Sequence, residues 1–273
     1  MSYITYQEAI FMNKIHQFHA LHTSEELLFL GNAWDMLSAV ALEKAGFKAI
    51  GTTSWGIANT LGFSDGELID FDQHVSIIRT IAEHVQIPVS ADIEAGYGED
   101  TATIVEHVLR IADVGVAGIN IEDSLKTKKG LREVGLHSNL LSKIRTALDT
   151  RGFKNFFINA RTDTYLQMDA PLSETIERAK AYVDNGASGI FVPGLKRDEE
   201  IREVVFHIHA PLNVLSLPGL TNVHQLQQLG VKRFSFGNAF SDKIIVALQK
   251  NAEQLIELQD TSHLYEDFAK SLS

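Results

Sequence analysis

Eight short runs of apolar, β-favouring residues recur along the chain, each followed by turn residues and a stretch of helical periodicity, and this alternation limits the possible folds most sharply. The runs are LLFLGNA (27–33), AIGTTS (49–54), PVSADIE (88–94), GINIED (118–123), FFINART (156–162), GIFVPG (189–194), LNVLSL (212–217) and RFSFGN (233–238). Between them lie helix-period segments such as DFDQHVSIIRTIAEHV and LSETIERAKAYVDNGA. Several helices close on glycine (Ala45-Gly46, Val114-Gly115, Asn185-Gly186, Leu229-Gly230), as expected where the chain turns back toward the next inner strand.

Apolar strands alternating with helices imply a parallel sheet covered on both faces, and eight such units predict closure into a (β/α)8 TIM barrel. The 273 residues suit a single barrel domain spanning 1–273, since such barrels run to about 250 residues and no linker or low-complexity segment interrupts the chain. Two helices fall outside the repeat, one near Tyr6 to Leu21 and one from about Ser241 to Gln259. They either plug the barrel bottom or pack on a neighbouring subunit.

A net charge of −11 without a basic block argues against nucleic acid or an anionic membrane as the partner and favours a small molecule. No apolar run approaches the ~20 residues of a membrane span, and the N-terminal stretch lacks the pattern of a signal peptide, so a cytoplasmic location is expected. The absence of cysteine removes thiolate chemistry and sulfur-ligated zinc, leaving oxygen and nitrogen groups to act.

Barrel enzymes build their active sites at the C-terminal ends of the strands, and the acids here follow that rule. Asp65 lies after the second strand; Asp92 and Glu94 end the third, Glu122 and Asp123 the fourth, Arg161 and Asp163 the fifth. Strand alternation aims Asp92 and Glu94 to one side, with Ile93 toward the helices. Carboxylates that close repel unless they share a proton or a cation. With Glu122 nearby, a divalent metal held by oxygen ligands, Mg2+ with Mn2+ as a substitute, is the economical solution. Arg161 in such a mouth either balances the acids or grips a substrate carboxylate. His74, His84, His107 and the pair His207 and His209 are read as solvated helix positions, the lysines of SLKTKKGLREVG as a charged loop, and LSLPGL with FSFGNAF as a weak phosphate cradle.

Asp65, SADIEAGYGE, GINIEDS and INARTD, in that order, make the chain resemble the isocitrate lyase and phosphoenolpyruvate mutase superfamily. The resemblance runs from GNAWDMLSAVALEKAGFKAIGTTS to FGNAF. It implies Mg2+ bound directly at Asp92, with Glu94, Glu122 and often Asp65 acting through waters. It also implies a substrate held by Arg161 and by the turn Thr53-Ser54-Trp55 with Gly96, and catalytic roles for Asp65, Glu122 and Arg161. Substrates would be small 2-oxo or 2-hydroxy acids cleaved or rearranged beside a metal-stabilised enolate. A homo-oligomer, dimer or tetramer, exchanging C-terminal helices is implied as well.

The loop after the fourth strand departs from the family pattern. Lyases of the superfamily carry a cysteine there in a K-x-C-G-H motif; the mutases and the phosphonopyruvate hydrolase carry a longer P-K-T-N type gate. IEDSLKTKKGLREVGL has neither. The expectation is an Mg-dependent lyase-type enzyme, with phosphonomutase or phosphonopyruvate hydrolase chemistry, or a non-catalytic 2-oxo acid binding barrel, as alternatives. The general acid is left open among a bound water, Tyr97 and a loop lysine.

Overall fold

The computed structural model describes residues 6–265. Every apolar run becomes a strand: β1 (Leu28–Ala33), β2 (Ile50–Thr52), β3 (Val89–Asp92), β4 (Gly118–Glu122), β5 (Phe157–Arg161), β6 (Gly189–Val192), β7 (Leu212–Leu215) and β8 (Arg233–Ser235). They pair in parallel in chain order and close when β1 meets β8, Leu28 opposite Arg233 and Leu30 opposite Ser235. The TIM barrel expected from the alternation is thus present.

Helix Phe71–His84 shows why the intervening segments wrap the barrel. Asp70 caps it by accepting from the Asp72 and Gln73 amides, and Val75, Ile78, Ile81 and Ala82 form one buried stripe. Each Ala-Gly type return closes on a left-handed glycine, with Gly46 at φ +97° and Gly186 at +101°. A side chain there would oppose the backbone turn.

The two additions behave differently. Helix Tyr6–Thr23 buries Ile15 and Phe18 completely, and the Phe18 ring packs edge-on against Phe157 at 5.6 Å, at the N-terminal mouth of β5, so this helix plugs the barrel bottom. Helix Ala239–Leu258 buries Ser241 but leaves Ile245, Leu248 and Ile256 well exposed. Beside its start, an apolar cavity of about 420 Å³ is walled by Ala41, Leu42, Phe47, Phe236 and Phe240. No described helix is long and apolar enough to cross a membrane.

Candidate active site

At the C-terminal rim a cavity of about 230 Å³ is lined by Thr53, Ser54, Trp55, Asp65, Asp92, Asn120 and Arg161, among others. Asp92 is fixed on all sides. Its amide donates to Thr52 Oγ1 at 2.8 Å, its carbonyl meets His74 Nε2 at 3.0 Å, and its Oδ2 accepts from the Ser54 hydroxyl at 3.1 Å. His74 is therefore not the solvated helix residue expected from periodicity. It is buried, faces the barrel wall, and burial pushes its pKa down against the pull of Asp92. His107 is half-buried and meets the Gly96 carbonyl at 3.0 Å.

The way Glu94 reaches the site also differs from strand alternation. β3 ends at Asp92, and Glu94 sits beyond it with φ +51°, so a turn rather than the pleat delivers its carboxylate. Tyr97 takes φ +57°, and such left-handed non-glycine residues cluster where function over-determines the backbone. Glu94 Oε1 accepts from the Glu67 amide and the Tyr97 hydroxyl, both at 3.0 Å. Glu67 Oε1 in turn accepts from the Ala95 and Tyr97 amides at 2.9 and 2.8 Å, holding the turn from the other side. Gly96 supports this turn, packed against Ile104, and does not line the cavity.

Arg161 lines the same cavity, with Glu122 paired to it. Arg161 Nη1 lies 3.0 Å from Glu122 Oε2, and its Nε and Nη2 fork onto Asp163 at 2.6 and 3.1 Å. Burial would lower the Arg161 pKa, but Glu122 and Asp163 hold it above the usual range, so it stays charged; burial pushes Glu122 up against Arg161 and Lys126. Asp123 points away from the pocket. It is buried against Arg178 Nη1 at 3.2 Å and the Tyr182 hydroxyl at 2.7 Å, and its Oδ1 accepts the Asp163 amide, which anchors the strand ends.

Lys126, read from sequence as part of a solvated loop, is instead half-buried with its Nζ 2.8 Å from Glu94 Oε2 and 2.6 Å from Glu122 Oε1. Burial would lower its pKa, but these two carboxylates hold it well above the usual value. Tyr97, the other acid candidate, is half-buried beside Glu94, and desolvation together with that carboxylate raises its pKa far above the ordinary phenol range. The cradle suggested after the seventh and eighth strands is closed by the protein itself: the Phe236 and Gly237 amides donate to Asn32 Oδ1 at 3.1 and 2.9 Å. Glu67, Asn32 and Asn120 are not singled out by sequence, since nothing in their spacing distinguishes them.

The donor set fits a hard divalent cation. It is all oxygen, and Asp65, at an otherwise exposed position, has its carboxyl pushed up to about 6 by burial and by the charges of Glu94 and Asp92, an excess that a cation offsets. Among the described residues no three acid or imidazole side chains are preassembled as a metal cage.

A sequence model of the family described as phosphoenolpyruvate phosphomutase matches residues 18–256. An uncharacterized protein of Mycobacterium tuberculosis (strain ATCC 25618 / H37Rv) is 39% identical over 222 residues, 81% of each chain. The 2,3-dimethylmalate lyase of Eubacterium barkeri is 30% identical over 199 residues, 71% of this chain and 68% of its own. The crystal structure of phosphoenolpyruvate phosphomutase from Streptomyces platensis subsp. rosaceus superposes with a TM-score of 0.83 at 21% identity, covering 93% of this chain and 90% of that one, a likeness of fold.

Proposed function

From the premise that this chain belongs to the phosphoenolpyruvate phosphomutase family, a superfamily of lyases and mutases acting on small acids, we propose that it is a divalent-metal-dependent lyase. Its substrate would be a small 2-oxo or 2-hydroxy dicarboxylate, a substituted malate or oxaloacetate. The observation that carries this reading is the convergence of Asp65, Asp92 and Arg161 on one small cavity at the strand ends, with Glu122 paired to Arg161 and Glu94 following Asp92 just behind its wall. Asp92 would hold the cation directly, with Glu94, Glu122 and Asp65 around it. Mg2+, or Mn2+ in its place, supplies Lewis-acid charge when bound.

The protein's own groups account for binding and orientation. Thr53, Ser54 and Trp55 open the helix Ser54–Thr60 at the pocket wall, where amides and hydroxyls suit a carboxylate or keto oxygen. Arg161, locked on Asp163, presents a fixed cation to a substrate carboxylate. Glu122 keeps Arg161 in that orientation from the other side. The cavity size favours a small acid without a bulky second half.

The test measures 2-oxo acid release from oxaloacetate and from substituted malates beside phosphate release from phosphonopyruvate. Carbon–carbon cleavage that needs Mg2+ and vanishes in Asp92→Ala is expected. Phosphate release alone would move the assignment to phosphonopyruvate chemistry, and metal-dependent turnover retained in Asp92→Ala would sink the metal site. The exposed apolar face of helix Ala239–Leu258 and the apolar cavity beside its start support exchange of this helix between copies in a dimer or tetramer.

A further inference from the structure

The hairpin after β4 carries a cation onto the buried acids Glu94 and Glu122. The Ser124–Leu131 bridge closes it, with the Leu125 amide donating to the Gly130 carbonyl at 2.9 Å. Gln167 pins it to the barrel, accepting from the Gly130 amide at 2.9 Å and donating to the Ser124 hydroxyl at 2.8 Å. The closed hairpin thus holds the Lys126 backbone above the two acids, while its flexible side chain reaches down to them. Its seat is specific: of the four oxygens of Glu94 and Glu122, Glu94 Oε1 is committed to Glu67 and Tyr97 and Glu122 Oε2 to Arg161, so Lys126 covers the remaining two. Those two oxygens are also the ones left for a hydrated cation.

We propose that Lys126 is a tethered competitor of the divalent metal: ammonium and metal exclude each other from Glu94 Oε2 and Glu122 Oε1, and metal loading expels the Lys126 side chain from between them. The inference rests on the metal reading above. Two cations a few ångströms apart in a pocket of low dielectric repel strongly, and a carboxylate oxygen in a charge-assisted pair gives up that pair to join another cation's shell. Lys128 and Lys129 on the same hairpin are exposed and make no ion pair among the described residues, so the device is one side chain rather than the charge of the loop.

Titration of the full chain with Mn2+, reading free Mn2+ by electron paramagnetic resonance, tests the proposal. If Lys126 vacates its seat in a tenth of molecules or fewer, Lys126→Met binds Mn2+ roughly tenfold tighter or more. The exposed control Lys128→Met stays within about twofold, its charge being screened. Equal or weaker binding by Lys126→Met overturns the competition while leaving the metal site standing. If neither the parent nor Lys126→Met binds Mn2+, the metal reading falls and the inference with it.

Discussion

Gly96→Ala separates a turn residue from a substrate contact. Gly96 has φ +108°, and a Cβ placed on it would stand 2.4 Å from Ile104 Cγ2 and 3.2 Å from Cγ1. Ile104 is in the core and has no room to swing away. The backbone conformation costs a non-glycine residue about 1–3 kcal/mol. Overpacking against a fixed core side chain adds about 1–3 kcal/mol more. A loss near 4 kcal/mol lowers Tm by roughly 10 °C in a domain of this size. Urea and thermal unfolding of Gly96→Ala, Ile104→Ala and the double variant provide the assay. Ile104→Ala alone costs about 2–5 kcal/mol through its cavity. In the double variant the methyl added at position 96 occupies space that Ile104 vacated, so the pair should be less destabilised than the sum by about 1–2 kcal/mol. A direct substrate contact at Gly96 predicts the opposite pattern, a raised KM with unaltered stability. Unfolding within about 0.5 kcal/mol of the parent, or strict additivity, refutes the steric argument.

Asp123→Ala removes the acceptor of the Tyr182 hydroxyl and leaves Arg178 with Glu174 and the Arg132 carbonyl, so it should cost about 1–3 kcal/mol, read by urea unfolding, and an unchanged stability would refute the anchoring role of Asp123. Ile245→Asp or Ile256→Asp on the exposed face of helix Ala239–Leu258 should shift light-scattering mass toward the monomer, and an unchanged mass would remove that face from the subunit contact. Removing divalent ions with EDTA should abolish turnover. Returning Mg2+ at about 100 times its Kd should stabilise the fold by about 2.7 kcal/mol, visible as a raised Tm. His22 is buried on Phe157, and burial, helped by the charge of Arg233, pushes its pKa down to about 3. The unfolded chain takes up a proton at the ordinary histidine value and the folded chain does not. Stability is therefore full above that value and is lost as pH falls from about 6.5 toward 3. His22→Phe should flatten the slope of unfolding free energy against pH in this window by up to ~1.4 kcal/mol per pH unit.

The barrel is legible because the apolar runs are short and continuous, as inner strands are, and are joined by helices of single-face periodicity, several of them ending in glycine. Asp92 and Arg161 are legible for a related reason, since C-terminal strand ends surround the barrel mouth, but position alone does not tell them from Asp123, which ends the fourth strand and turns into a buried network with Arg178 and Tyr182. His74 escapes pattern reading because periodicity tells which side of a helix is buried only when apolar residues mark it. A histidine on the buried stripe looks like one on the solvent side until Asp92's carbonyl is seen beside it. Glu67 is invisible because its role is to hold backbone amides of another loop, a contact across 28 and 30 residues with no local periodicity to announce it.

Lys126 shows most clearly what pattern reading omits. In SLKTKKGLREVG three lysines fall within four residues, and composition makes them equivalent. Closure of the hairpin makes them inequivalent, directing Lys126 inward and leaving Lys128 and Lys129 in solvent. An exposed lysine beside an acid contributes almost nothing, whereas a half-buried one bridging two buried carboxylates decides their charge balance. The loop that lacks both the cysteine motif and the longer gate thus places a cation on the two carboxylate oxygens that the proposed metal would need, which makes Lys126→Met the substitution that most directly separates an ion pair from a metal site.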